Sequence, residues 1–147
     1  MNKLLGDFIT ISITEFLFYF YLCYTLFITG EAMNLITTIL IVIVAFLHFF
    51  FLYLEMFLWD KPFGRKTFRM TEEQAKASKT LAMNQGLYNG FLAAGLIWSL
   101  FTDDSVKIFF LSCVVIAGIF GALTVSKRIF YIQSVPAILG LIVVLLV

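Results

Sequence analysis

The chain has 147 residues, 62% hydrophobic and 13% charged, with a formal net charge of +1 and a mean hydropathy of +1.03. That composition excludes an ordinary soluble domain, and apolar runs of about twenty residues point to an integral membrane protein. The one basic cluster is a short loop that membrane topology already explains, so the expected partner is the lipid bilayer and not nucleic acid.

Five apolar segments follow in chain order and predict an all-α bundle of five transmembrane helices in one domain, 1–147. The first, about 4–28, is marred by Asp7 and Glu15. It opens like a signal peptide, but no small-residue cleavage site comes before Glu31, so it is read as retained. The second, 35–59, is interrupted only by His48 and Glu55. Asp60-Lys61-Pro62-Phe63-Gly64 ends it, since proline cannot extend a helix and disfavours the helical region for Lys61. The third, 71–101, is expected to start in water. Thr71 with Gln74 fits a capping box, Glu72 with Lys76 is an i,i+4 pair of favourable sense, and the apolar part begins near Leu81. The fourth, 106–125, holds the pairs Ala117/Gly121 and Gly118/Ala122, small residues that let helices approach closely in lipid. The fifth is 129–147, with Pro136 near its start. Cys23 and Cys113 lie in separate apolar runs and read as small hydrophobes.

Charge placement orients the bundle. With a cytoplasmic N-terminus, nine of the ten cations fall on the inner side: Lys3, the six between residues 60 and 80, Lys127 and Arg128. The C-terminus then lies outside, and the expected location is a bacterial plasma membrane. A four-helix alternative, with the first segment lying on the membrane surface, leaves Lys3 unexplained.

Unpaired polar groups cost several kcal/mol in hydrocarbon, so those inside the spans need partners, water or a ligand. Measured along the helices, Glu55 lies ~6 Å and His48 ~16 Å inward from Trp59, and they fall ~20° apart on one face. Asn84 and Gln85 lie ~5 Å beyond Leu81, with Tyr88 and Asn89 ~11 Å beyond it. The pairs Asn84/Tyr88 and Gln85/Asn89 read as one polar stripe. Thr124 and Gln133 come from helix ends on the same side. One cytoplasm-side polar pocket is the economical expectation. In it Glu55 would be the general acid/base, His48 a shuttle and Tyr88 a polarising group. Trp59, Asn84, Gln85, Asn89, Thr124 and Gln133 would line the substrate. Glu15, level with His48, could reach it if the first two helices are neighbours. No cofactor or metal is expected, since a lone histidine seven residues from a carboxylate is not a ligand spacing.

Four blocks carry a resemblance: Glu55-Met56-Phe57-Leu58-Trp59; Asn84-Gln85-Gly86-Leu87-Tyr88-Asn89-Gly90-Phe91-Leu92-Ala93-Ala94-Gly95; Ala117-Gly118-Ile119-Phe120-Gly121-Ala122-Leu123-Thr124; and Gln133-Ser134-Val135-Pro136-Ala137. In this order they resemble the signature blocks of the small membrane proteins called domain of unknown function 1304, over about residues 35–147. The resemblance implies a four-helix membrane core preceded here by an extra N-terminal helix. Glu55, Trp59, Asn84, Gln85, Tyr88, Asn89, Thr124 and Gln133 match its motifs, and it brings no established activity.

Three functional readings follow, and whether the chain is an enzyme stays open among them. The first is a membrane-embedded enzyme of isomerase or proton-transfer type acting on a small lipophilic substrate. The second is a proton-coupled carrier or binding protein for a small polar or amphipathic solute. The third is an accessory subunit of a membrane complex. Homo-oligomerisation is compatible with each.

Overall fold

The computed structural model describes the backbone of residues 2–146 and the side chains of residues 15–25 and 27–146. The side chains of Lys3 and Asp7, and Val147 at the expected end of the fifth helix, lie outside the described residues. The chain is all-α: α1 (Asn2–Phe57), α2 (Pro62–Phe68), α3 (Glu72–Ser99), α4 (Asp104–Thr124), α5 (Lys127–Ile129), a π-helical turn (Phe130–Ser134) and α6 (Val135–Leu146).

The first two expected helices are a single one. No turn separates 4–28 from 35–59; α1 runs through 56 residues, about 84 Å at 1.5 Å per residue. The physical reason lies in Gly30-Glu31-Ala32-Met33-Asn34. It holds no proline, and its one glycine costs only about 1 kcal/mol among residues that otherwise accept a helix. A straight rod cannot return across a bilayer, so this geometry does not contain two antiparallel spans from α1. Nor can Glu15 reach His48, because 33 positions on one rod separate them by about 50 Å.

Below that rod the chain closes a four-helix ring. The later part of α1 packs on α3 and α6, and α4 packs on the same two helices. A core of Ile41, Val44, Ala45, Leu96, Leu111, Val114, Ala137 and Val144 fills the ring. Among the described residues, three stretches are long and apolar enough to cross a membrane: Glu15–Phe57, Asp104–Thr124 and Lys127–Leu146. The expected third span, α3, has the length but not the hydropathy, because its charged first turns and the amides Asn84, Gln85 and Asn89 dilute it.

Local chemistry sets the ends of these helices. Thr71 and Gln74 form the capping box in both directions, Thr71 Oγ1 accepting from the Gln74 N–H (3.2 Å) and Gln74 Oε1 from the Thr71 N–H (2.9 Å). Glu72 pairs with Lys76 as its spacing predicts, and also with Arg65 (2.8 and 2.6 Å). The segment after Trp59 folds the short helix α2 with Pro62 in its first turn, where a missing N–H costs nothing. Trp59 then donates to Ser78 Oγ (3.0 Å) and lies against Phe68, ring centres 4.6 Å apart, which ties α2 to α3.

The π turn also has a cause. Pro136 offers no N–H to the carbonyl one turn back and crowds it, and widening the preceding turn relieves the clash. The Val135 N–H accordingly bonds the Phe130 carbonyl, five residues back. Ser134 is thereby turned into the bundle, where its hydroxyl donates to the Val115 carbonyl (3.2 Å) beside Gly118. A Cβ at Gly118 would collide with Ser134 Oγ, so of the two small-residue pairs on α4, Gly118 is at the contact while Ala117 is exposed.

Candidate functional site

Glycine brings the site together. A Cβ placed on Gly86 would sit 2.6 Å from Met56 Cγ and 3.1 Å from the Leu52 carbonyl oxygen, and one on Gly90 would sit 2.5 Å from Leu52 Cδ1. At these two positions α3 presses against the last turns of α1. Asn89, between them on the same buried face, then donates from Nδ2 to Glu55 Oε2 at 2.7 Å. Asn89 is buried and Glu55 half-buried. In apolar surroundings such a pair needs its bond, because an unpartnered carboxylate or amide there loses its full solvation.

Glu55 has a second neighbour, open space. A cleft of about 670 Å³ lies between the end of α1, the end of α2 and the corner joining α4 to α5. Its apolar walls are Leu47, Phe50, Phe51, Leu54, Ile129 and Ile132. Its polar groups are Glu55, Gln133, Thr67, Ser126, Arg69 and Arg128. A volume in the ~300–1,000 Å³ range, mostly apolar with a few convergent polar groups, is what small-ligand sites present.

The nine residues singled out from sequence do not all converge there. Glu55 and Gln133 line the cleft, and Asn89 reaches it through Glu55. Asn84, Gln85 and Tyr88 are exposed on the outside of α3, with Tyr88 beside Phe91. The i,i+4 spacing of Asn84 and Tyr88 does make a stripe, but the buried face of α3 is that of Ala82, Gly86, Asn89, Ala93 and Leu96. Small side chains chose the face that meets α1, and only one amide shares it. Thr124 is also exposed and spends its hydroxyl on the Phe120 carbonyl of its own helix (2.8 Å). Trp59 is held by Ser78 and Phe68 and is not among the residues lining the cleft.

His48 is fully buried in the bundle and does not line the cleft. Its Nδ1 lies 2.8 Å from the Val44 carbonyl oxygen, which can only accept, so Nδ1 carries the proton and Nε2 presents a lone pair. Among the described residues that Nε2 has no hydrogen-bond partner. His48 lies two turns, about 10 Å, up α1 from Glu55, too far to shuttle a proton to it directly. The expected trio of Glu55, His48 and Tyr88 is therefore dispersed.

Sequence reasoning missed Arg69, Arg128, Thr67 and Ser126. Both arginines read as topogenic charges, and only the fold brings the end of α2 and the α4–α5 corner to one cleft. Arg69 carried one local signal, since it ends a helix just before a capping box, where the chain must reverse. It does so with φ 55°, in the left-handed region, its N–H facing the carbonyls of Arg65 and Lys66. That conformation ordinarily selects glycine.

Comparison with known proteins gives two findings. The model of a family described as "Protein of unknown function (DUF1304)" matches residues 42–145. A protein of Lactococcus lactis subsp. lactis (strain IL1403), "Uncharacterized protein YpaA", is 34% identical over 115 residues, covering 75% of this chain and 97% of the relative. No solved structure matches the chain. The family match spans the four-helix ring and both faces of the cleft, and it begins inside α1, beyond that helix's N-terminal half.

Proposed function

Since the chain belongs to the DUF1304 family, which carries no known activity, we propose from its own geometry that it is a membrane-embedded binding protein for small amphipathic molecules. In this reading the later half of α1 with α3, α4 and α6 forms the membrane bundle. The cleft opens at its cytoplasmic end, the side to which the basic residues of α2 and α5 assign it. α3 crosses beside α1 despite its lower hydropathy because Asn89 and its small residues face protein at the contact.

One observation carries the reading: the 670 Å³ cleft that joins a half-buried carboxylate, fixed by Asn89, to apolar walls. Binding outranks isomerisation because Glu55 is the one member of the expected catalytic trio at the cleft. A retained acid with a fixed orientation and no second acid/base beside it suits holding a ligand better than moving its protons.

The test uses three single-chain probes, decanol, decylamine and decanoate, offered to the protein in nanodiscs and read by native mass spectrometry. At least one should be retained at one per protein. Ile132→Trp, which fills the apolar wall, should abolish that retention while the melting temperature stays close to that of the unaltered protein. No retention of any probe, or equal retention by Ile132→Trp, rejects the reading.

A further inference from the structure

The cleft carries a charge pattern that the binding reading does not use. Arg69 and Arg128 both line it, and among the described residues neither has a carboxylate within ion-pair distance. Two acids near this end of the bundle are engaged elsewhere: Asp60 with Lys79 at 2.8 Å, and Glu72 with Arg65 and Lys76. Two arginines, one from the end of α2 and one from α5, thus line a shared cavity whose one carboxylate, Glu55, is turned to Asn89 and pairs with neither.

Arg69 also stands where its backbone favours another residue. A φ of 55° at a helix C-cap is a glycine position, and an arginine there strains the backbone. Strain held at a cavity is an observation from which a functional hypothesis can be drawn. Beyond the arginines the cleft is hydrocarbon-like, with Phe50, Phe51 and Ile132 as walls. Guanidinium presents paired N–H donors matched to carboxylate or phosphate oxygens, so a charged head at the mouth and an alkyl chain along the wall is the complementary shape.

Resting on the binding reading, we infer that the ligand is a single-chain amphiphile with an anionic head, the head on Arg69 and Arg128 and the chain against Phe50, Phe51 and Ile132. A volume near 670 Å³ is of the order that takes one drug-sized molecule, which favours a free single-chain compound over a two-chain bilayer lipid.

The head-group series decides this. In discs of phosphatidylcholine, decanoate should bind about ten-fold or more tightly than decanol or decylamine, the advantage expected of charge-assisted hydrogen bonds. Arg128→Gln and Arg69→Gly should each remove most of that advantage and leave decanol retention unchanged. Arg69→Gly is informative because it relieves the backbone: the variant should melt at or above the temperature of the unaltered protein, so lost binding would not reflect misfolding. Equal retention of decanol and decanoate overturns the head assignment while leaving the cleft as a binding site. Decanoate preference that survives both substitutions overturns the role of the arginines. Replacing half the phosphatidylcholine with phosphatidylglycerol should weaken decanoate retention only slightly. Abolished retention would assign the site to bilayer phospholipid head groups and overturn the single-chain ligand.

Discussion

Residues 15–36 and 37–57 belong to the same helix, α1, and have opposite surroundings. Along the earlier half the large side chains stand clear of other elements: Phe16, Tyr21 and Phe27 are 68%, 69% and 67% exposed. Along the later half, Thr37, Ile41, Val44, Ala45 and His48 form an inner line with at most 2% exposure. Apolarity does not separate the halves, since both are rich in Phe, Leu and Ile. What separates them is the helix that each can meet. α3 and α6 offer Ala82, Gly86, Ala93, Ala137 and Gly140 on their buried faces, and backbones can come close there. In lipid, where hydrophobicity does not drive helices together, close packing and hydrogen bonds do. Greasiness takes a helix into the bilayer; small residues and one polar pair decide its neighbours.

Two glycines on the two sides of that divide give the largest contrast. Gly86→Leu must push α3 away from Met56 and the Leu52 carbonyl, and overpacking of this kind costs about 1–3 kcal/mol. Among the described residues nothing lies within 4 Å of a Cβ placed on Gly30. Gly30→Ala should stabilise by at most about 1 kcal/mol through helix propensity alone. Melting curves of the detergent-solubilised variants, read by size-exclusion fluorescence, check both. A destabilised Gly30→Ala would mean that the chain bends at residue 30 and that the single rod is wrong.

The amides make a second and smaller contrast. Asn89→Ala strands the Glu55 carboxylate and should cost on the order of 1 kcal/mol, since interhelical hydrogen bonds in membranes average about 0.6 and reach about 1.7. Asn84→Ala removes an exposed amide with no partner among the described residues, and its melting temperature should match that of the unaltered protein. If the two variants melt alike, the Glu55–Asn89 bond does not hold α3 to α1.

How far the sequence could be read follows from the same distinction. Helix ends set by short-range chemistry were legible: the Thr71/Gln74 box, the Glu72–Lys76 pair and the stop before Pro62 all stand as the residues imply. The family was legible too. Facing was not. Asn84-Gln85-Gly86-Leu87-Tyr88-Asn89-Gly90 looked like a polar ladder because its amides draw attention, yet its glycines set the contact and only Asn89 follows them inward. The continuity of α1 was missed for a different reason: a pentapeptide with one glycine, Glu31 and Asn34 permits a turn without requiring it. Arg69 and Arg128 are 59 positions apart, and no local pattern could bring them to one cleft.

The smallest effect belongs outside the bundle, where Lys79 of α3 meets Asp60 just past α1 (2.8 Å). The hydrogen bond from Lys79, helped by the charges of Lys79 and Lys61, holds the Asp60 carboxyl below the ordinary aspartate range. The folded chain therefore keeps that carboxylate charged at a pH where the unfolded chain has begun to protonate it. The contribution to stability is complete above the ordinary aspartate pKa of about 4 and is lost as pH falls through the lower folded value. Glu72 shifts the same way under Lys76 and Arg65, so acid titration of the unaltered protein alone would mix the two. Lys79→Met isolates the first pair. Its melting temperature should lie slightly below that of the unaltered protein at neutral pH, and the gap should close as pH drops below about 4. A gap that stays constant through that range would mean that Lys79 supports the α1–α3 junction by packing its alkyl stem rather than by its charge. The junction would then hold by the same close contact that separates the two halves of α1.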